Sequence, residues 1–180
     1  MLTLFSKILS AQKRITRASP AAGDPGVFAV GEELRKKLNA LGRSSLAIRQ
    51  VAAGSSNAEE HELTLLSSPH YDVERFGIRF VASPRHADML FVTGPVARNM
   101  AEPLRRTWEA TPDPKIVVAV GDGAIDGGIF KGSYAIAGAV ADVIPVDFEI
   151  PGDPPSPQVI LTALLALIGK LDGKKRISHR

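Results

Sequence analysis

Four short apolar runs rich in β-branched residues lie between Ser45 and Val120, and they restrict the chain to a narrow set of folds. Ser45–Ala52 (SLAIRQVA), Ile78–Ala82 (IRFVA), Met89–Thr93 (MLFVT) and Lys115–Val120 (KIVVAV) read as strands, with a shorter final one at Val143–Val146 (VIPV). Helical periodicity falls over Asn57–Leu66 and over Ala97–Ala110, with Leu104 and Trp108 one turn apart. A last apolar helix covers Pro157–Leu171, and Asp172-Gly173 is expected to close it. Strands alternating with helices imply a parallel sheet covered on both faces. In such sheets the working site lies where loops leave the carboxyl ends of the strands. The loops Gly54–Glu60, Gly94-Pro95, Gly121–Gly128 and Pro151–Pro155 are therefore expected to converge.

Ahead of the strands, Leu2, Phe5, Ile8 and Leu9 recur at helical spacing, while Lys7, Lys13, Arg14 and Arg17 lie mostly elsewhere on the turn. This predicts an amphipathic N-terminal helix that either meets a partner or a membrane surface, or covers the domain's own core. Ser19–Val27 (SPAAGDPGV) reads as a linker and Gly31–Leu41 as a second helix. The expected organisation is an N-terminal helical extension and linker over 1–42, an α/β domain over 43–171 and a basic C-terminal tail over 172–180. The expected fold class is a flavodoxin-like three-layer sandwich with a parallel sheet. A chain of 180 residues suffices for one such core.

A net charge of +3 argues against nucleic acid as a partner. Its distribution is uneven, with nine Lys or Arg against three Asp or Glu before Gly54, and four basic residues among the last seven. Basic ends on a near-neutral body read as solvated tails, or as contacts to an anionic membrane face or an acidic partner. The chain has no cysteine, which excludes disulfides, zinc ribbons, a thiol nucleophile and any thiolate-ligated cluster. No apolar run reaches the roughly 18–20 residues of a spanning helix. Lys7 interrupts the first apolar stretch and no basic segment precedes it, so a cytoplasmic location is expected.

The loops at the strand ends carry specific patterns. Gly54-Ser55-Ser56-Asn57-Ala58-Glu59-Glu60 is similar to G-S-C-N-G-C-E, and His70–Gly77 to R-Y-D-x-[DE]-R-F-G. Ser83–Asp88 is similar to S-P-R-x-A-D, and Lys115–Phe130 follows W-V-[VI]-x-[VM]-G-x-C-A-x-x-G-G. Ile144–Asp147 with Pro151–Pro155 matches I-P-V-D followed by P-G-C-P-P. Together they resemble the 20 kDa subunit of complex I and the small subunit of membrane-bound, energy-converting NiFe hydrogenases. Thr93-Gly94-Pro95-Val96 leans toward the hydrogenase branch. The resemblance runs from about Arg43 to Leu171 and keeps the family's order.

The departure from the family is equally specific. Laid on its motifs, the four cysteines that would hold a 4Fe–4S cluster fall at Ser56, Glu59, Gly123 and Asp153. Iron in such a cluster wants soft, charge-donating thiolates, so no cofactor is expected here. An oxidised cluster with its four thiolates carries about two negative charges. Glu59 and Asp153 could supply the same charge, with Arg75 or Arg85 expected to pair with them.

The same residues admit other readings. Asp122, Asp126, Glu59 and Asp153 could hold Mg²⁺ or Ca²⁺, although acidic loops usually bind nothing specific, and no metal is expected. Gly121–Gly128 is glycine-rich after a strand and could cradle phosphate, but it lacks the Lys-Ser/Thr of a P-loop. His61 and His86 stand apart from any nucleophile motif, and no catalytic residue is assigned. Family membership implies a partner interface, for which Glu60, Tyr71, Asp72, Glu74, Arg75, Arg85 and His86 are the candidates. It also implies a hydrogenase-like or complex I-like large subunit and ion-translocating membrane subunits as partners, at the cytoplasmic face of the inner membrane. The expected function is a cluster-free structural or adaptor subunit of such a complex. The alternative is an oxidoreductase small subunit in a complex that keeps redox activity elsewhere. A free-standing flavin- or nucleotide-binding protein is a third reading.

Overall fold

The computed structural model describes residues 25–40 and 45–178. The expected amphipathic helix over Leu2–Arg17 lies outside the described residues. Helix α1 runs Pro25–Ala40, so the helix expected at Gly31 begins six residues earlier, inside the expected linker. Proline suits the first turn of a helix, where its missing N–H costs nothing. Val27, Leu34 and Leu38 are buried in the same core as the sheet, so α1 packs as part of it. Gly31 allows this approach, because a Cβ there would stand 2.2 Å from Phe76 Cε2.

The sheet contains β1 (Leu46–Ala52), β2 (Ile78–Phe80), β3 (Met89–Thr93), β5 (Ile116–Val120) and β7 (Phe148–Ile150), in the order β2-β1-β3-β5-β7. All its pairings are parallel. Counted along the chain, this is the 2-1-3-4-5 order of flavodoxin-like sheets, whose switch point lies between the first and third strands. A small antiparallel pair, β4 (Val96–Ala97) with β6 (Ile136–Gly138), stands apart from it.

Alternation along each strand builds two cores. Met89, Phe91, Val118 and Val120 face one side, where α1, α2 (Ala58–Leu66) and the final helix α5 (Pro157–Ser178) cover them. Leu90, Val92, Val117 and Ala119 face the other side, against Leu104 and Trp108 of α3 (Arg98–Ala110) and Ala124 of the short α4 (Asp122–Asp126). The three-layer sandwich expected from the alternation is the fold observed. Helix α5 continues past Asp172-Gly173, which therefore does not close it.

The last strand is displaced from the expected one. Val143–Val146 forms no strand, and β7 starts at Phe148. Asp147 fixes this start, because its carboxylate accepts from Val117 N at 2.9 Å while its own N–H donates to Val117 O. Asp88 does the same between β1 and β3, accepting from Ala47 N at 2.9 Å and donating to Ala47 O. Each aspartate thus sets the relation of two neighbouring strands. Asp147→Ala removes a charge-assisted bond and should cost about 1–2 kcal/mol. A thermal melt should show a fall of about 3–6 °C.

Candidate functional site

The four loops meet at the carboxyl ends of the strands. Backbone bonds tie them, with Ala53 N to Thr93 O at 3.0 Å, Ala97 N to Ala53 O at 2.8 Å and Asp122 N to Gly152 O at 2.9 Å. The approach is close enough to require glycine. Gly94 has φ +71°, and a Cβ on it would lie 2.2 Å from Ser55 Cα. This point is the topological switch between β1 and β3.

Helix α2 starts here behind Asn57, which takes the left-handed conformation at φ 75°. Its first turn places Glu59 and Glu60 at the ends of the central strands. Glu60 Oε1 accepts from both Ser55 Oγ and Thr93 Oγ1, which joins the loops after β1 and β3 through one carboxylate. Glu59 is only 3% exposed, and its Oε1 faces Gly121, where a Cβ would meet it at 2.8 Å. The Oε2 atoms of Glu59 and Glu60 are both buried without a hydrogen-bond partner among the described residues.

Burial pushes the Glu59 carboxyl above its ordinary range. Its own backbone N–H opposes that shift, while Glu60 and Asp153 add to it. A buried glutamate that is a weaker acid when folded binds its proton more tightly in the native state. Its stabilisation is complete below the unfolded value and is lost as pH rises through the folded value. Glu59→Gln should therefore raise the melting temperature by about 2–4 °C at pH 8, corresponding to about 1 kcal/mol. At pH 5 the gain should be smaller, and equal gains at both pH values would contradict this assignment.

The expected pairing of Glu59 and Asp153 with Arg75 or Arg85 is not observed. Among the described residues neither carboxylate forms an ion pair. The charged groups acting on Glu59 are other carboxylates. The Arg75 guanidinium lies over the Phe76 ring at 4.7 Å, in the turn that enters β2. Gly77 at the end of that turn accepts from Leu46 N, the first residue of β1, so the turn sits at the amino ends of the strands. Tyr71, Asp72, Glu74 and Arg75 are thus at the opposite end of the sheet from Glu60. Arg85 and His86 are exposed in the turn before β3. The seven interface candidates therefore do not form one patch.

Two of the acidic loop residues are bonded to backbone. Asp122 Oδ1 accepts from Gly152 N and Asp126 Oδ1 from Gly128 N, each at 2.8 Å. Among the described residues no group of three His, Asp or Glu is placed to hold a metal ion. Sequence reasoning missed Ser55, Thr93 and Pro95. A hydroxyl closing a buried strand just before Gly-Pro was the available signal for Thr93.

The residues matched by the family described as NADH ubiquinone oxidoreductase, 20 Kd subunit, are 57–167. The chain belongs to this family. Formate hydrogenlyase subunit 7 of Escherichia coli is 39% identical over 86% of this chain. The chain spans 59% of that relative's length. A probable membrane-bound hydrogenase subunit of Pyrococcus furiosus, mbhJ, is 42% identical over 73% of this chain and 78% of its own length. A chain of an archaeal membrane-bound sulfane sulfur reductase matches with a TM-score of 0.66 and 32% identity, covering 76% of this chain and 75% of that one.

Within the 20 Kd subunit family, this member's site does not fit the family's cluster. Ser56 and Asp153 are exposed, Glu59 is buried, and none of the three offers a thiolate. At the fourth position there is no side chain, and little space is left beside it. A Cβ on Gly123 would stand 2.9 Å from Pro95 Cδ and 3.3 Å from Pro95 N. The Gly-Pro loop after β3 therefore packs directly against this position.

Proposed function

We propose that this chain is a cluster-free structural subunit that joins a hydrogenase-like or complex I-like large subunit to ion-translocating membrane subunits. The observation that carries this reading is a preserved family fold with no thiolate at any of the four ligand positions. Relatives at about two-fifths identity are subunits of a formate hydrogenlyase and a probable membrane-bound hydrogenase. The exposed apolar segment beside the site supports a protein partner. Ile129 is 87% and Tyr134 88% exposed, and Phe130 lies between them. The charged turn with Glu74 and Arg75 offers a second surface at the other end of the sheet, and Arg85 and His86 are exposed in a separate turn. No helix among the described residues is long and apolar enough to cross a membrane. The subunit would sit peripherally, at the cytoplasmic face of the inner membrane, with the amphipathic segment expected over Leu2–Arg17 adding contact there.

The test is affinity purification of the tagged full chain from membranes in mild detergent, with the co-purifying proteins identified by mass spectrometry. A large subunit and membrane subunits retained together are expected. Recovery of the chain alone from the soluble fraction would overturn the reading, and a yellow chromophore in that fraction would favour flavin binding. The likeness to a chain of a sulfane sulfur reductase favours one alternative, in which other subunits of the complex keep redox activity. Reduction of an added acceptor by the purified complex would support that alternative.

A further inference from the structure

We infer that the former cluster position is now a proton-binding carboxyl site, in which Glu59 holds the proton and the acid-lined cleft at Asp153 supplies it. The inference stands whether or not the chain is an adaptor.

Geometry is the first support. Glu59 is 3% exposed, its Oε2 is buried without a partner among the described residues, and its Oε1 lies 2.8 Å from where a Cβ on Gly121 would stand. A carboxylate in this place is withdrawn from solvent and has no counter-ion among the described residues, and isolated buried charge is relieved most cheaply by a proton. The groups facing it deepen that demand. Glu60 acts from its own helix and Asp153 from the loop after β7, and both are acidic. Glu60 is already held by the hydroxyls of Ser55 and Thr93, both bonding to its Oε1. Glu59 has no such hydroxyl donors among the described residues, which leaves it as the carboxyl placed to retain a proton.

Access is the second support. Asp122, Asp126, Glu149 and Asp153 line one open cleft with Ile125, Ile129 and Pro151. Asp122 and Asp126 are bonded to backbone N–H groups, whereas Asp153 is exposed and makes no side-chain hydrogen bond among the described residues. An acidic cleft gathers cations from solvent. This one adjoins Glu59, because its Asp122 follows Gly121, the residue that the Glu59 carboxyl faces, while the Asp153 charge also acts there. In the uptake step hydronium gives its proton to Asp153 and becomes water. Asp153 passes the proton on, an O–H bond forms on the Glu59 carboxyl, and one negative charge is cancelled. Release reverses these steps.

The test is infrared difference spectroscopy of the full chain, purified with its partners, in H₂O and D₂O. At neutral pH the wild-type protein should show the carbonyl stretch of a protonated carboxylic acid, shifted in D₂O. Glu59→Gln should abolish the band. Asp153→Asn should keep it and slow its deuterium exchange several-fold, which tests the site even where the Glu59 variant is poorly folded. Absence of the band in the wild type, its persistence in Glu59→Gln, or unchanged exchange in Asp153→Asn would overturn the inference. So would a sodium-dependent rise in melting temperature lost in Glu59→Gln, which would mark a metal cation as the occupant.

Discussion

Gly94→Ala should be among the most damaging single substitutions in the domain. The residue has φ +71°, and its missing Cβ would lie 2.2 Å from Ser55 Cα and 2.3 Å from Ser55 N. The left-handed conformation costs a residue with a Cβ about 1–2 kcal/mol. The clash adds about 1–3 kcal/mol, because the atoms in the way are backbone and cannot rotate aside. The sum is a large share of the roughly 5–15 kcal/mol that holds a domain folded. A fall in melting temperature of about 10 °C is expected by thermal denaturation, or failure to accumulate in the folded form. The same movement would part Ser55 from Glu60, so the carboxylate clasp between β1 and β3 should be lost with it. A variant that melts within about 2 °C of the parent would show that these loops are not held together as described.

Restoring the four cysteines should not restore the cluster. The quadruple variant Ser56→Cys, Glu59→Cys, Gly123→Cys, Asp153→Cys supplies every thiolate the family motif requires, yet a side chain at position 123 meets Pro95. Pro95 Cδ stands 2.9 Å from the Cβ that Gly123→Cys would introduce, and the proline ring has little freedom to move. Overpacking of this kind costs about 1–3 kcal/mol. Anaerobic reconstitution with iron and sulfide should therefore give substoichiometric iron and no stable cluster spectrum. Adding Pro95→Ala to the quadruple variant should improve incorporation if the proline is the obstacle. Full loading of the quadruple variant alone, at about four irons per chain, would show that the site was stripped but not rebuilt.

The sheet was legible in the sequence wherever strands are buried on both faces. Met89–Thr93 is the observed β3 to the residue, because five apolar or β-branched positions end abruptly at Gly94-Pro95. The convergence of the four loops followed from the alternation of strands and helices alone. Apolar content misled at Val143–Val146, which is as β-branched as the true strands. Pro145 lacks an N–H for the ladder, and Asp147 begins the pairing with β5 two residues later. Composition also misled at Pro25-Gly26, where turn-like residues open a helix whose Val27 is buried. The antiparallel pair β4–β6 is too short to leave a periodic signal.

The site was half legible. The motifs placed the ligand positions, and charge arithmetic drew attention to Glu59 and Asp153. The expected arginine partners failed because Arg75 belongs to a turn at the far end of the sheet, which loop order could not reveal. The roles of Ser55, Thr93 and Pro95 depend on contacts between loops far apart in sequence. No pattern of residue types announces a proline ring filling the space of an absent side chain.

The most direct test of the central claim is iron analysis with low-temperature electron paramagnetic resonance. The wild-type chain would be purified anaerobically with its partner subunits, separated from them, and reduced with dithionite. No iron and no signal in this chain are expected from a site that lacks thiolates. About four irons per chain with a reduced-cluster signal would contradict the account and make this subunit an electron carrier with a different ligand set.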